Sequence, residues 1–166
     1  MKNQPMMPEE KVQALAGFSA WRARRYFEQQ NAELFDACAT GNAKVVKQFL
    51  DSSSQLVFGV NDKGWSPLIV ACFHQHIAIA KLLLERGANP NACGRKGTTV
   101  LMYAKTKSVN VNDADYELLD LLIASGADCL RADCFGKSIL DYVGDTGDSR
   151  MIAYFEEHTR TDNAIC

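Results

Sequence analysis

His74 and His76, one residue apart, are the pair in this chain best placed by type to share a metal ion. A closed site needs further ligands. No cysteine stands at a zinc-like spacing from these histidines, and no CxxC pair occurs. A structural turn histidine is the stronger reading. Asp145-Thr146-Gly147 has the wording in which a carboxylate is presented for two-aspartate hydrolysis. That chemistry needs two such carboxylates sharing a proton, and the triplet occurs once. Asn110, Asn112, Asp113 and Asp115 loosely follow a calcium loop, but the turn glycine is missing and Leu121 stands where the terminal glutamate would fall. Arg22, Arg24 and Arg25, beside Trp21 and Tyr26, form a local basic cluster that reads as a solvated helix face. With no glycine-rich phosphate loop and no nucleophile elbow, the expectation is a non-enzymatic chain that uses no cofactor.

The bulk properties agree with that expectation. The chain has 166 residues, enough for one domain with a substantial core. Its net charge of −2 gives no electrostatic case for nucleic acid or an anionic membrane. No apolar run approaches the roughly 20 residues that span a bilayer, and the first ten residues lack the apolar stretch of a secretory signal. A cytoplasmic protein, monomeric when free, is expected. Six cysteines are present, but Cys38 and Cys72 fall where a small buried side chain packs between helices. Cys93, Cys129 and Cys134 lie in or beside loops, and Cys166 is terminal. They read as free thiols.

What must position any working residue is a repeating unit. Gly64-Trp65-Ser66-Pro67-Leu68-Ile69-Val70-Ala71-Cys72 leads to Leu82-Leu83-Leu84-Glu85-Arg86-Gly87-Ala88-Asn89-Pro90-Asn91. Degraded copies open at Gly97-Thr98-Thr99-Val100-Leu101-Met102-Tyr103-Ala104 and Gly136-Lys137-Ser138-Ile139-Leu140-Asp141-Tyr142-Val143. An upstream copy keeps Leu34, Ala37, Cys38, Gly41, Val45, Val46, Phe49 and Leu50. Gly97 follows Gly64 by 33 residues and Gly136 follows Gly97 by 39. Within a copy, Asn61-Asp62-Lys63-Gly64 is turn chemistry. Ser66 can cap a helix whose first position is Pro67, and Gly87 can end a second helix. A helix pair of this kind buries its apolar face only against a neighbouring pair.

The period and the Ser-Pro-Leu opening resemble the ankyrin-repeat family over residues 31–158, most closely at 61–91. The resemblance implies an all-α solenoid of about four helix-turn-helix repeats, at 31–60, 61–93, 94–132 and 133–158. A flexible N-terminus (1–8) and an N-terminal capping helix (9–30) precede them, and a C-terminal tail (159–166) follows. It places Asp145-Thr146-Gly147 in a helix–helix turn, with Gly147 equivalent to Gly41. The repeat beginning at Gly94 carries about six extra residues, within 105–116 between its two helices.

Members of this family bind proteins at their loop tips and along the concave face formed by the first helices. Carried onto this sequence, those contact positions are Trp65, Val70, Phe73, His74, Thr98, Tyr103, Thr106, Lys137, Tyr142 and Asp145. Trp65, Phe73, Tyr103 and Tyr142 are expected as exposed aromatics on one face, the residue types that anchor interfaces. The expected partner is a protein, with no nucleic acid or membrane bound. The wording around Tyr103 and Tyr142 also resembles small free-standing bacterial ankyrin proteins, some of which are immunity factors that block a secreted toxin domain. Such a role implies an acidic patch, for which Asp113, Asp115, Glu117, Asp120, Asp141, Asp145 and Asp148 are the candidates. Two other readings differ in kind. One is a scaffolding subunit contacting partners through the 105–116 insertion and the N-terminal helix. The other is a metal- or redox-responsive protein using His74, His76 and the loop cysteines.

Overall fold

The computed structural model describes residues 28–108 and 116–162. Most of the expected N-terminal capping helix and the middle of the insertion lie outside the described residues. Eight α-helices are present among those described: α1 (28–40), α2 (Ala43–Ser52), α3 (Pro67–Phe73), α4 (Ile77–Glu85), α5 (Val100–Ser108), α6 (Glu117–Ala124), α7 (Ile139–Gly144) and α8 (Ser149–Asp162). A 3-10 turn follows α2 at Ser54–Phe58. No strand is formed among the described residues, only an isolated bridge between Cys93 and Thr99. No helix there is long and apolar enough to cross a membrane.

The helices pair within each repeat and stack between repeats. α3 packs on α4 within its own repeat and on α5 of the next; α5 then packs on α6 and α7. A second layer runs alongside, with α4 between α2 and α6. One continuous core fills the space between the layers, from Leu34 and Cys38 through Leu68, Ile79 and Leu83 to Leu101, Leu122, Ile139 and Phe155. The chain is an all-α solenoid.

Local chemistry starts each first helix at the expected place. The Ser66 hydroxyl accepts from the Ile69 amide with Pro67 at the first helical position. Thr99 caps α5 through the Met102 amide although Val100 replaces the proline. Ser138 and Asp141 form a reciprocal capping box on α7. Cys38 and Cys72 are completely buried, and burial pushes the Cys38 thiol up to about 12, with Cys72 shifted the same way. These are packing groups, not nucleophiles.

Two boundaries differ from the sequence expectation. The helix at 28–40 crosses the division at 30/31. α8 crosses the division at 158/159 and buries Thr159, whose hydroxyl donates to the Phe155 carbonyl at 3.0 Å. The polar run after Tyr154 resembles a tail, yet it stays helical and turns Thr159 to the buried side. The insertion also begins as helix: α5 extends through Ser108, and Lys105 is only 8% exposed. Its ammonium donates to the Tyr142 carbonyl at 2.7 Å, joining α5 to the following repeat.

Candidate functional site

Three loops lead into α3, α5 and α7, and the same device builds the first and third. Asn61 receives the amides of Lys63 and Trp65 on its side-chain oxygen, at 3.0 Å each. Asp133 receives those of Phe135 and Lys137 at 2.8 and 3.1 Å. Gly94 occupies this position in the middle loop. The residue nine places later then acquires a characteristic role. Tyr142 donates its hydroxyl to Asp133 at 2.6 Å. The Tyr103 hydroxyl lies over Gly94, 2.8 Å from where a Cβ would stand. Val70 is nine places after Asn61. Too short to leave the cover of its neighbours, it is 5% exposed and belongs to the core, which corrects its expected place on the contact face.

Trp65, Phe73, His74 and Tyr103 come together as one aromatic strip across the second and third repeats. The Trp65 ring centroid is 5.3 Å from Phe73 and 4.8 Å from Tyr103. Phe73 meets His74 edge-on at 5.2 Å. All four are partly buried, as is Tyr142, so they are not the fully exposed aromatics that the sequence suggested. Trp65, Phe73 and Tyr103 give part of their surface to packing between the two repeats. Lys63, overlooked in the sequence, places its ammonium 5.1 Å from the Trp65 ring centre.

Lys137, Tyr142 and Asp145 form a second group. Lys137 bonds Asp145 at 2.6 Å and lies 5.5 Å from the Tyr142 ring centre. Thr98 is partly buried in the middle loop, where its carbonyl accepts from the Gly94 amide at 3.0 Å. Thr106 is exposed on α5, and its hydroxyl donates to the Met102 carbonyl at 3.0 Å.

His76 has a structural partner: its Nε2 is 3.1 Å from the Ala39 carbonyl, and the ring packs against Gly41. Gln75 reaches the other way, donating to the Ala104 carbonyl at 2.7 Å. The turn between α3 and α4 thus ties three repeats together. His74 and His76 stack at 6.2 Å, and no group of three metal-binding side chains occurs among the described residues.

The acids proposed as a patch are largely committed to internal bonds. Asp120 accepts from the Tyr154 hydroxyl at 2.6 Å, Asp141 belongs to the capping box, and Asp145 holds Lys137. Asp148 accepts from the Arg150 and Met151 amides at the start of α8. Asp113 and Asp115 lie outside the described residues.

The Asp133–Tyr142 bond has a pH signature. The Tyr142 hydroxyl holds the Asp133 carboxyl below its ordinary 3.8, aided by the Lys137 and Phe135 amides. The same bond pushes Tyr142 up from 10.0 to about 12. A lowered carboxyl pKa stabilises the fold above its ordinary value and ceases to do so as pH falls. A raised phenol pKa stabilises below pH 10.0 and ceases to do so as pH rises through about 12. The melting-temperature difference between wild type and Tyr142→Phe is therefore expected to be flat from about pH 4 to 10 and to shrink on both sides. Thermal melts of both proteins across pH check this; a difference unchanged at alkaline pH would show that the bond carries no stability.

Stacked helix pairs joined by looped turns define a repeat solenoid, a class of protein built to present an extended surface. The family model described as ankyrin repeats (3 copies) matches residues 12–93 and 34–133. The chain belongs to the ankyrin-repeat family and is a protein–protein interaction module. It is 39% identical over 107 residues to mouse Ankyrin repeat and SAM domain-containing protein 6, covering 63% of this chain and 11% of that protein. It is 35% identical over 67 residues to human Scaffold protein ILK, covering 40% and 15% respectively. Protein HOS4 of Saccharomyces cerevisiae is 31% identical over 81 residues, covering 49% of this chain and 8% of that protein. The chain thus spans a small fraction of the length of each relative.

Proposed function

We propose that the chain binds a protein partner through its concave face, with the strip of Trp65, Phe73, His74 and Tyr103 at the centre and Lys137, Tyr142 and Asp145 extending it. The carrying observation is the contact of Trp65 with both Phe73 and Tyr103, which turns separate repeats into one apolar surface. Aromatic residues held in place by packing lose little entropy on binding and commonly dominate interface energy. The described aspartates each carry a hydrogen bond within the chain, and no observation singles out a basic toxin surface as the partner.

Affinity capture from the native host with mass spectrometry tests the reading, comparing wild type with Trp65→Ala/Tyr103→Ala/Tyr142→Ala. Circular dichroism checks the fold of the variant. A partner held by wild type and lost by the folded variant is the expected result. A partner kept by both would move the interface to the 105–116 insertion and the N-terminal segment, as a scaffolding subunit requires.

A further inference from the structure

The loop tips carry a charge opposite to that of the whole chain. Residues 61–65, 94–98 and 133–137 hold the cations Lys63, Arg95, Lys96 and Lys137 against the carboxylates of Asp62 and Asp133, while the protein has a net charge of −2. Asp133 is buried and bonded to Tyr142, and Lys137 is bonded to Asp145. Lys63, Arg95 and Lys96 are exposed, and none of them forms an ion pair among the described residues.

These tips form one ridge rather than three separate loops. Arg95 packs on Gly64 so closely that a Cβ there would lie 2.7 Å from the Arg95 Cγ. The Cys134 amide donates to the Lys96 carbonyl at 2.9 Å. Cations and rings alternate along it: Lys63 lies 5.1 Å from the Trp65 ring centre, and Lys96 lies 5.9 Å from that of Phe135, which is 67% exposed. The ring quadrupole steadies each ammonium, and neither lysine has a carboxylate partner among the described residues.

We propose that this ridge docks an extended, carboxylate-rich segment of the partner protein, with its acids on Lys63, Arg95 and Lys96 and its apolar residues on Phe135 and Trp65. The inference rests on the protein-binding reading above and adds the chemistry of the partner. Charge complementarity selects the occupant: a basic segment would be repelled, and a neutral one would desolvate the cations without replacing their water. Packed helical layers repeat at roughly 8–10 Å. A polyproline-type chain advances about 9 Å in three residues, so glutamates three residues apart can meet Lys63 on one tip and Arg95 and Lys96 on the next, with the intervening apolar residues reaching Trp65 and Phe135.

Fluorescence anisotropy on the full chain tests this with a fluorescein-labelled peptide of four Glu-Pro-Leu units, against one of four Gln-Pro-Leu units. The acidic peptide is expected to bind at least about tenfold more tightly and to weaken as salt rises from about 0.05 to 0.3 M. Lys63→Glu/Arg95→Glu/Lys96→Glu is expected to lose that preference. Should the variant misfold, the salt series and the glutamine peptide decide the matter on wild type alone. Equal affinity for the two peptides would overturn the proposal. So would tighter binding of a single-stranded DNA of equal charge, which would assign the ridge to nucleic acid. A captured partner that survives charge reversal but is lost by the aromatic triple variant would leave the binding face standing and remove only its acidic occupant.

Discussion

Gly97→Ala is expected to destabilise the protein by about 2–5 kcal/mol, clearly more than Gly136→Ala. Both glycines occupy loop tips with left-handed backbone, at φ +75° and +73°. An alanine pays roughly 1–2 kcal/mol for that conformation at either site. The surroundings differ. A Cβ on Gly136 would meet nothing within 4 Å, whereas one on Gly97 would lie 3.1 Å from both the Asp133 Cα and the Cys134 amide nitrogen. Those are backbone atoms of the next loop and cannot rotate aside. Overpacking of this kind adds about 1–3 kcal/mol and strains the bond from the Cys134 amide to the Lys96 carbonyl. Urea unfolding of wild type and the two variants measures the contrast. Equal losses would show that the loops separate freely and that the ridge is not one rigid surface.

The sequence rules that were legible are those acting within a few residues. Ser66 before Pro67 announces a capped helix. Cys38 and Cys72 share a small buried position, and Gly41 and Gly147 share a left-handed turn. The Asp-Thr-Gly triplet resolves on the same grounds, because Gly147 closes the turn between α7 and α8 at φ +69°. What was not legible depends on side chains that meet only once the loops and repeats have folded. Within a repeat, the presence of Asp133 under Tyr142, but Gly94 under Tyr103, decides which tyrosine hydroxyl gains a carboxylate partner. Lys105 looks like the start of a solvated insertion until α7 supplies the Tyr142 carbonyl that satisfies its ammonium. The partial burial of Trp65 likewise follows from Tyr103, which is 38 residues distant in sequence.

That partial burial gives Trp65 two separable roles. Trp65→Ala is expected to weaken the captured partner by at least about 30-fold, the effect of losing a hot spot worth about 2 kcal/mol or more. The substitution also removes two aromatic pairs, each worth about 0.5–1.5 kcal/mol beyond buried area, so some stability is lost as well. The loop itself should survive, because its bonds at this residue use main-chain atoms: the Trp65 amide donates to Asn61 Oδ1, and its carbonyl accepts from the Asn61 amide. Trp65→Phe separates the roles by keeping a ring between Phe73 and Tyr103 while shortening the surface offered to a partner. Titration calorimetry with the purified partner, beside thermal melts, reads both effects. If Trp65→Ala lowers the melting temperature but leaves the dissociation constant unchanged, the tryptophan serves only to join two repeats. The strip would then be a seam, and the face that binds must be sought along the loop tips at Arg95, Lys96 and the exposed Phe135, none of which rests on the Trp65 ring contacts with Phe73 and Tyr103.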